Sequence, residues 1–298
     1  MTFRHLKIFI TVADTGSMTA AAKALYIAQP TVSQAVSELE EHYGVKLFDR
    51  LAKRLYLTDK GTRLLSYARH LISLMNEMEQ VMQGPDQSGL IKVGASLTVG
   101  TYLLPQLVHQ FKHQYPFLQI RSTIKNTLDI ERLLLQNAID FAVVEGMVHT
   151  PDIVATPFMD DKLLLVCGKT HPLYQADAIP PAELENLQFI VREQGSGTRE
   201  LFENMMATQE IKWQLAWECN GSDVLKNAAV KGIGVAVISQ RLVERELAAG
   251  DLSIVQVEGI DLKRKFSVVH HKNKFLTEPM QAFIVLCREY PNLPEQPS

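Results

Sequence analysis

The sequence predicts an all-α N-terminal unit carrying a helix-turn-helix and a wing, then a long linker helix, then a C-terminal α/β unit of two lobes. Three observations predict it. A polar-faced helical pair occupies residues 17–41. A one-sidedly apolar stretch runs unbroken from Asp59 to about Gln83. Strand and helix patterns then alternate beyond residue 89, which implies parallel sheets with covering helices. At 298 residues, 46% hydrophobic and 21% charged, the chain is globular and long enough for about two domains.

The elements follow in order. Residues 3–15 form an amphipathic helix, with Phe3, Leu6, Phe9, Ile10 and Ala13 on one face. Ser17 or Thr19 caps the next helix through its hydroxyl. Ala20, Ala21, Ala22 and Ala24 are small enough for another helix to cross closely, and Leu25 closes this one onto the core. Pro30 suits a first helical turn, where its missing N–H costs nothing. Val32, Ala35, Val36 and Leu39 then form a buried stripe at i, i+3, i+4, i+7, under a polar face of Gln29, Thr31, Ser33, Gln34 and Ser37. Short polar groups above a buried stripe are what a groove-reading helix needs. An ordinary helical hairpin is the alternative for this window alone. Gly44 ends the helix as a left-handed residue. Residues 49–58 read as a hairpin, or wing, with Arg50, Lys53 and Arg54 near its tip. Thr58 caps the long helix, whose Leu64, Leu65, Ala68, Leu71, Ile72, Met75, Met78 and Met82 share one side. Pairing with a second copy is expected of such a stripe; packing against its own chain is the alternative.

Residues 84–89 read as a linker. Strands are expected at 91–95, 117–124, 140–145, 162–167, 189–191, 235–238 and 266–270, the fourth crossing to a second lobe. Helices are expected at about 99–114, 128–137, from Thr198, at 222–231 and at 277–289. The boundaries follow: residues 1–58 for DNA, 59–88 for the linker helix and hinge, 89–298 for the two lobes, with lobe I about 89–163 and 266–298 and lobe II about 164–265.

Net charge is −3, but residues 1–70 hold ten Lys/Arg against six Asp/Glu (+4) and the remainder twenty against twenty-seven (−7). The basic end is the end with the helix-turn-helix. No apolar run is long enough to cross a bilayer and Met-Thr-Phe-Arg-His-Leu-Lys offers no apolar signal segment, so a cytoplasmic location is expected, with no membrane partner. Cys167, Cys219 and Cys287 lack any paired spacing and read as packing thiols rather than redox sensors.

Two loops read as ligand-binding. Residues 94–105 join a strand to a helix in one lobe, and residues 192–199 do so in the other. Hydroxyls and free N–H groups at a helix start attract anions, so two facing starts would clamp a small anion between the lobes. Simple helix capping is the alternative for each. The candidate residues are Ser96, Leu97, Thr98, Gly100, Glu145, Arg192, Gly195, Ser196, Gly197, Thr198 and Asn220, with Asn126, Thr127, Gly221 and Ser222 as further caps. Arg192 and Arg199 are available cations unless they pair with Glu193, Glu145 or Glu200, and His149 lies either at the cleft or on the surface. Enzyme signatures are lacking. Gln194 breaks a nucleophile elbow around Gly195-Ser196-Gly197, and Gly232-Ile233-Gly234 is followed by Val237, which leaves a dinucleotide fingerprint incomplete. His270 and His271 are strand neighbours on opposite faces, so no metal and no cofactor are expected. A cytoplasmic α/β enzyme or a solute-binding protein using the same cleft is the alternative.

The chain resembles LysR-type transcriptional regulators over its full length. The resemblance rests on Gly16 to Ala22, Gln29 to Glu40, Gly44 to Arg50 and Leu57 to Gly61. It implies a winged helix-turn-helix, a dimerising linker helix and an effector domain folded like a periplasmic solute-binding protein. It also implies a homotetramer on promoter DNA, and RNA polymerase as a partner if the protein activates. By that resemblance Gln29, Pro30, Thr31, Ser33, Gln34 and Ser37 belong to the recognition helix, with Thr31 and Gln34 at base edges and Ser33 at phosphate; Lys53 and Arg54 belong to the wing. Ala28 departs from the pattern, because a Ser often stands there as a cap. Ser96-Leu97-Thr98 and Arg192 to Arg199 resemble the branch tied to sulfur and cysteine metabolism and carbon fixation. That implies a sulfur oxyanion or a phosphorylated metabolite as effector.

Overall fold

A computed structural model describes residues 1–51, 54–82 and 89–290 of the chain. Lys53, and all of the expected linker except Gly89, lie outside the described residues. The chain forms two compact units: residues 1–87 with 135–137 and 273–275, and the rest.

The first unit holds α1 (Phe3–Thr15), α2 (Met18–Leu25), α3 (Gln29–Tyr43), the hairpin strands β1 (Phe48–Leu51) and β2 (Arg54–Leu57), and α4 (Asp59–Met82). Local signals set these bounds. The Ser17 hydroxyl accepts from the Ala20 N–H, and Gly16 and Gly44 end α1 and α3 at φ 63° and 64°. Ala28 caps α3 with no side-chain bond. Leu6, Phe9, Val12, Ala21, Ala22, Val32, Val36 and Leu39 close one core with Leu47, Phe48, Leu65 and Ala68. Thr58 fastens α4: its hydroxyl accepts from Gly61 N–H at 2.9 Å and donates to Lys46 carbonyl at 2.8 Å. The apolar stripe of α4 divides. Leu65 and Ala68 face this core, whereas Tyr67, Leu71, Leu74 and Met78 are exposed at helical spacing.

The second unit begins with β3 (Leu90–Ala95), α5 (Leu97–Tyr102), α6 (Leu104–Gln114), β4 (Gln119–Ile124), α7 (Thr127–Leu135) and β5 (Phe141–Glu145). It continues with β6 (Ile153–Gly168), β7 (Gln188–Arg192), α8 (Gly197–Thr208), β8 (Gln214–Cys219), α9 (Ser222–Val230) and β9 (Val235–Ser239). It ends with α10 (Glu244–Ala248), β10 (Leu252–Ile254), β11 (Leu262–His271) and α11 (Glu278–Glu289). The strands run in the order β4-β3-β5-β11-β6-β9-β7-β8, with β10 beside β6. The parallel set β4-β3-β5 carries lobe I and the parallel set β9-β7-β8 carries lobe II. The long antiparallel pair β6 and β11 belongs to both: β11 pairs β5, and the far end of β6 pairs β9. Phe111, Phe141 and Phe283 centre the lobe I core; Phe189 and Phe202 centre one face of lobe II, and Leu225, Ala229 and Ile238 the other.

Two expectations change. The single helix expected over 99–114 is two, α5 and α6, meeting at Leu103. Pro105 sits in the first turn of α6, where it cannot donate back along a continuous helix. The crossing strand is longer than the expected 162–167: Pro157, Asp160 and Asp161 interrupt its apolar pattern, while its pairing with β11 continues past them with one register shift. The edge strand β8 has no counterpart in the expected set.

Candidate functional site

Two sites emerge, one in each unit. In the first, α3 presents exposed Gln29, Pro30, Gln34 and Ser37, with Thr31 and Ser33 half-buried beside them. Their amides are held along the helix: Gln29 donates to Ser33 hydroxyl at 2.7 Å and Gln34 to Glu38 carboxylate at 2.9 Å. Arg54 is exposed on β2. Glu40 fixes the hairpin to α3. One carboxylate oxygen accepts from Leu47 N–H at 2.8 Å, and the other pairs with Lys46 at 2.6 Å. Burial opposes ionisation of Glu40, but these bonds outweigh it and hold its carboxyl below the usual value. The turn before α3 also presents Tyr26, 96% exposed at φ 55°. Its exposure was not legible, since Tyr is ordinarily core-compatible.

In the second unit the 192–199 loop of lobe II packs against the end of β5 and the start of α7 in lobe I, and Arg264 joins it to the 94–105 segment. Ser96, Thr98, Ser196, Gly197 and Thr198 are all buried. Gly197 approaches so closely that a Cβ there would stand 2.5 Å from the Glu145 carbonyl and 3.2 Å from Gly146 Cα. The Gly195 carbonyl accepts from Leu128 N–H at 3.1 Å.

Arg264 of β11, absent from the expected set, ties the loops together. Its guanidinium donates to Thr198 hydroxyl at 2.9 Å, to Thr98 hydroxyl at 3.3 Å and to Asp161 carboxylate at 2.7 Å. The other Asp161 oxygen accepts from Ser239 hydroxyl at 2.7 Å. A signal existed: Leu262, Arg264 and Phe266 alternate with Lys263 and Lys265, so Arg264 shares the inward face of a strand.

Glu145 ends β5 beside this cluster, only 1% exposed. The Ser96 hydroxyl donates to its carboxylate and accepts from its N–H at 3.1 Å, while Thr127 hydroxyl donates to its carbonyl at 3.0 Å. Burial pushes the Glu145 carboxyl above the usual value, against the pull of Arg264 and Arg192. Arg192 is buried and bidentate to Glu193 at 2.8 Å for both bonds. Burial opposes ionisation of Glu193 as well, but Arg192 prevails and holds that carboxyl low.

Other expected residues take different places. Arg199 binds Glu203 at 2.7 Å, Glu218 and the Arg192 carbonyl, so its charge is engaged. His149 is exposed, 2.9 Å from Glu200. Gly100 is buried against Ile124, whose side-chain atoms would stand 2.8 Å from an added Cβ, so it admits close packing. Leu97 is half-buried, and Asn220 is exposed just before α9. The two helix starts are unequal. α5 has six residues and α8 has twelve, so the fuller helix-end charge belongs to α8. Ser196 caps α8 without a side-chain bond, and among the described residues its buried hydroxyl has no hydrogen-bond partner.

Comparisons follow the same division. The lysR family of bacterial regulatory helix-turn-helix proteins matches residues 3–62, and the LysR substrate binding domain matches residues 85–292. The Escherichia coli K12 HTH-type transcriptional regulator YeiE is 34% identical over 290 residues, covering 96% of this chain and 97% of YeiE. The Synechocystis HTH-type transcriptional activator CmpR is 30% identical over 286 residues, covering 95% and 93%. Among solved structures, the Synechocystis CcmR regulatory domain in complex with 2-PG is similar at TM-score 0.64 and 26% identity, over 68% of this chain and 97% of that one. A full-length OxyR variant from Pseudomonas aeruginosa matches in fold at TM-score 0.67 and 20% identity, over 97% and 98%.

Proposed function

The chain belongs to the LysR family of bacterial regulatory helix-turn-helix proteins, and on that premise we propose how this ligand-controlled, DNA-binding transcriptional regulator divides its labour. Residues 1–58 read promoter DNA, 59–88 join two copies, and 89–298 bind the effector between two lobes. Thr31 and Gln34 meet base edges, Ser33 meets phosphate, and Lys53 and Arg54 reach the flanking minor groove. The exposed Tyr67, Leu71, Leu74 and Met78 of α4 supply an apolar stripe for a second copy. The working form is a cytoplasmic homotetramer without catalytic turnover, which contacts RNA polymerase where it activates.

The effector is a small anion, either a sulfur oxyanion or a phosphorylated metabolite. One observation carries this: among the described residues the Ser196 hydroxyl is buried without a partner at the start of the longer helix. A buried polar group left unpaired costs about 1–3 kcal/mol, so a ligand that satisfies it gains that amount. Thr198 accepts from Arg264 and keeps its own proton to donate, Thr98 lies on the same guanidinium, and Ser96 turns donor to the ligand once Glu145 no longer takes its proton. The 2-phosphoglycolate held by CcmR supports the same chemistry.

Calorimetry with sulfite, sulfate, phosphate and 2-phosphoglycolate tests the site. At least one is expected to bind the wild type, and Ser196→Ala to weaken it about tenfold or more, the worth of one bond to a charged group. Because that hydroxyl has no partner among the described residues, the melting temperature should not fall. If none binds the wild type more tightly than a Ser96→Ala/Thr98→Ala double variant, the anion assignment is wrong. For DNA, Gln34→Ala is expected to cost about 1–3 kcal/mol of discrimination between operator and random duplex per lost base contact. An unchanged specificity ratio at fixed salt would remove Gln34 from base readout.

A further inference from the structure

An acid buried among the donors of an anion site calls for an explanation. Glu145 shares its carboxylate with the Ser96 hydroxyl, and Ser96 starts the loop that also carries Thr98. Its backbone carbonyl lies against Gly197, next to Ser196. An anion seated on these hydroxyls therefore stands beside a carboxyl group that water does not reach.

We infer that effector binding takes up one proton, held between the Glu145 carboxyl group and the bound anion. The inference rests on the anion reading above and adds its regulation. Two negative charges at such distance in a dry site cannot both remain ionised, so one proton is retained by the pair. The neighbouring charges do not remove the need. Arg264 of β11 is committed to Asp161 of β6, and Arg192 of β7 to Glu193 in the following loop. With Arg241 also 3.7 Å from Asp161, three cations are matched by the carboxylates of Asp161, Glu193 and Glu145 before any ligand arrives, so a bound anion adds negative charge that no further cation here balances. From α5, α7 and α8 come the uncharged hydroxyls of Ser96, Thr98, Thr127, Ser196 and Thr198, together with Arg199 of α8, already paired with Glu203 and Glu218, and Glu131 of α7, which accepts from the His149 N–H. Burial already tilts Glu145 toward its neutral form. The pair holds one proton by either route, but an anion that arrives without a proton draws it from solvent, whereas one that arrives protonated brings it along. A protonated Glu145 donates to an anion oxygen, or an anion that brings its own proton donates to the ionised carboxylate.

Sulfate is the suitable probe, because it has no proton to lose or gain near neutrality. Titration of the full-length protein with sulfate, in buffers of different ionisation enthalpy, should show uptake of about one proton per sulfate at alkaline pH. Affinity should fall about tenfold per pH unit there. Inorganic phosphate, which keeps a proton near neutrality, should take up less. Glu145→Gln, folded by circular dichroism, should bind sulfate with a flat pH profile. Should that variant not fold, the contrast between sulfate and phosphate on the wild type decides alone. Sulfate binding without proton uptake, or the same slope in Glu145→Gln, overturns the coupling and leaves the anion site standing. Phosphate binding with no sulfate binding at acidic pH also overturns it. If neither anion binds the wild type at any pH, the anion site and the coupling fall together.

Discussion

Arg264→Met is expected to destabilise the two-lobed unit by about 3–5 kcal/mol, the cost of leaving one member of a buried ion pair alone. Asp161 would be that member: its side chain is 0% exposed, and it would keep only the neutral Ser239 hydroxyl at 2.7 Å and the more distant Arg241 at 3.7 Å. Thr98 and Thr198 would each lose a donor as well. Urea denaturation followed by near-ultraviolet dichroism measures the loss. A second variant separates charge from packing. Arg264→Met with Asp161→Leu removes both partners and should recover most of the stability, since apolar replacement of a whole buried pair is often neutral. A single variant that loses under about 1 kcal/mol would mean that water or Arg241 takes over the Asp161 charge, and that Arg264 does not hold the unit together. Effector affinity should fall in both variants, because the two loops lose their common donor.

Phe9→Ala should be nearly as damaging in the first unit, at about 3–5 kcal/mol. Phe9 is fully buried and packs against Phe48 with ring centroids 5.4 Å apart. It joins the α1 face to the hairpin in a small core, where few other side chains can fill the space. A loss of that size is a large fraction of the total for a domain this small. Hydrogen exchange read by mass spectrometry should show protection lost across α1, α2 and α3, and retained in β3, β5 and β11. Operator binding should disappear at concentrations that saturate the wild type. Unchanged exchange in α3 would show that the recognition helix does not depend on this core.

Much of the first unit was legible because its signals are local. The helix expected over 3–15 is α1, and Ser17, Gly44 and Thr58 act at the ends they mark. Caps and a 3.6-residue period need no distant partner. The second unit was less legible where a residue's role depends on pairing far along the chain. β8 is an exposed edge whose Leu215 and Trp217 gave no core-like run. Pro157 and Asp160 concealed the length of β6. At the site, the loops were legible as hydroxyl-rich helix starts, but their charge partners were not. Arg264 lies 166 positions from Thr98, and only the sheet brings them together.

The paired β6 and β11 strands have a mechanical consequence. Both run through the two lobes, side by side and antiparallel, with a register shift between Phe266 and Ser267. A ribbon of two strands resists shear, because sliding would break its ladder one bond after another. It yields more easily to torsion, and most easily where the ladder is already irregular. A twist about this ribbon is therefore the relative motion of the lobes that breaks the fewest of its bonds, and it would widen or narrow the slot between them. Arg264 sits two residues from the irregular point, so whatever alters its partners acts with a short lever on that twist.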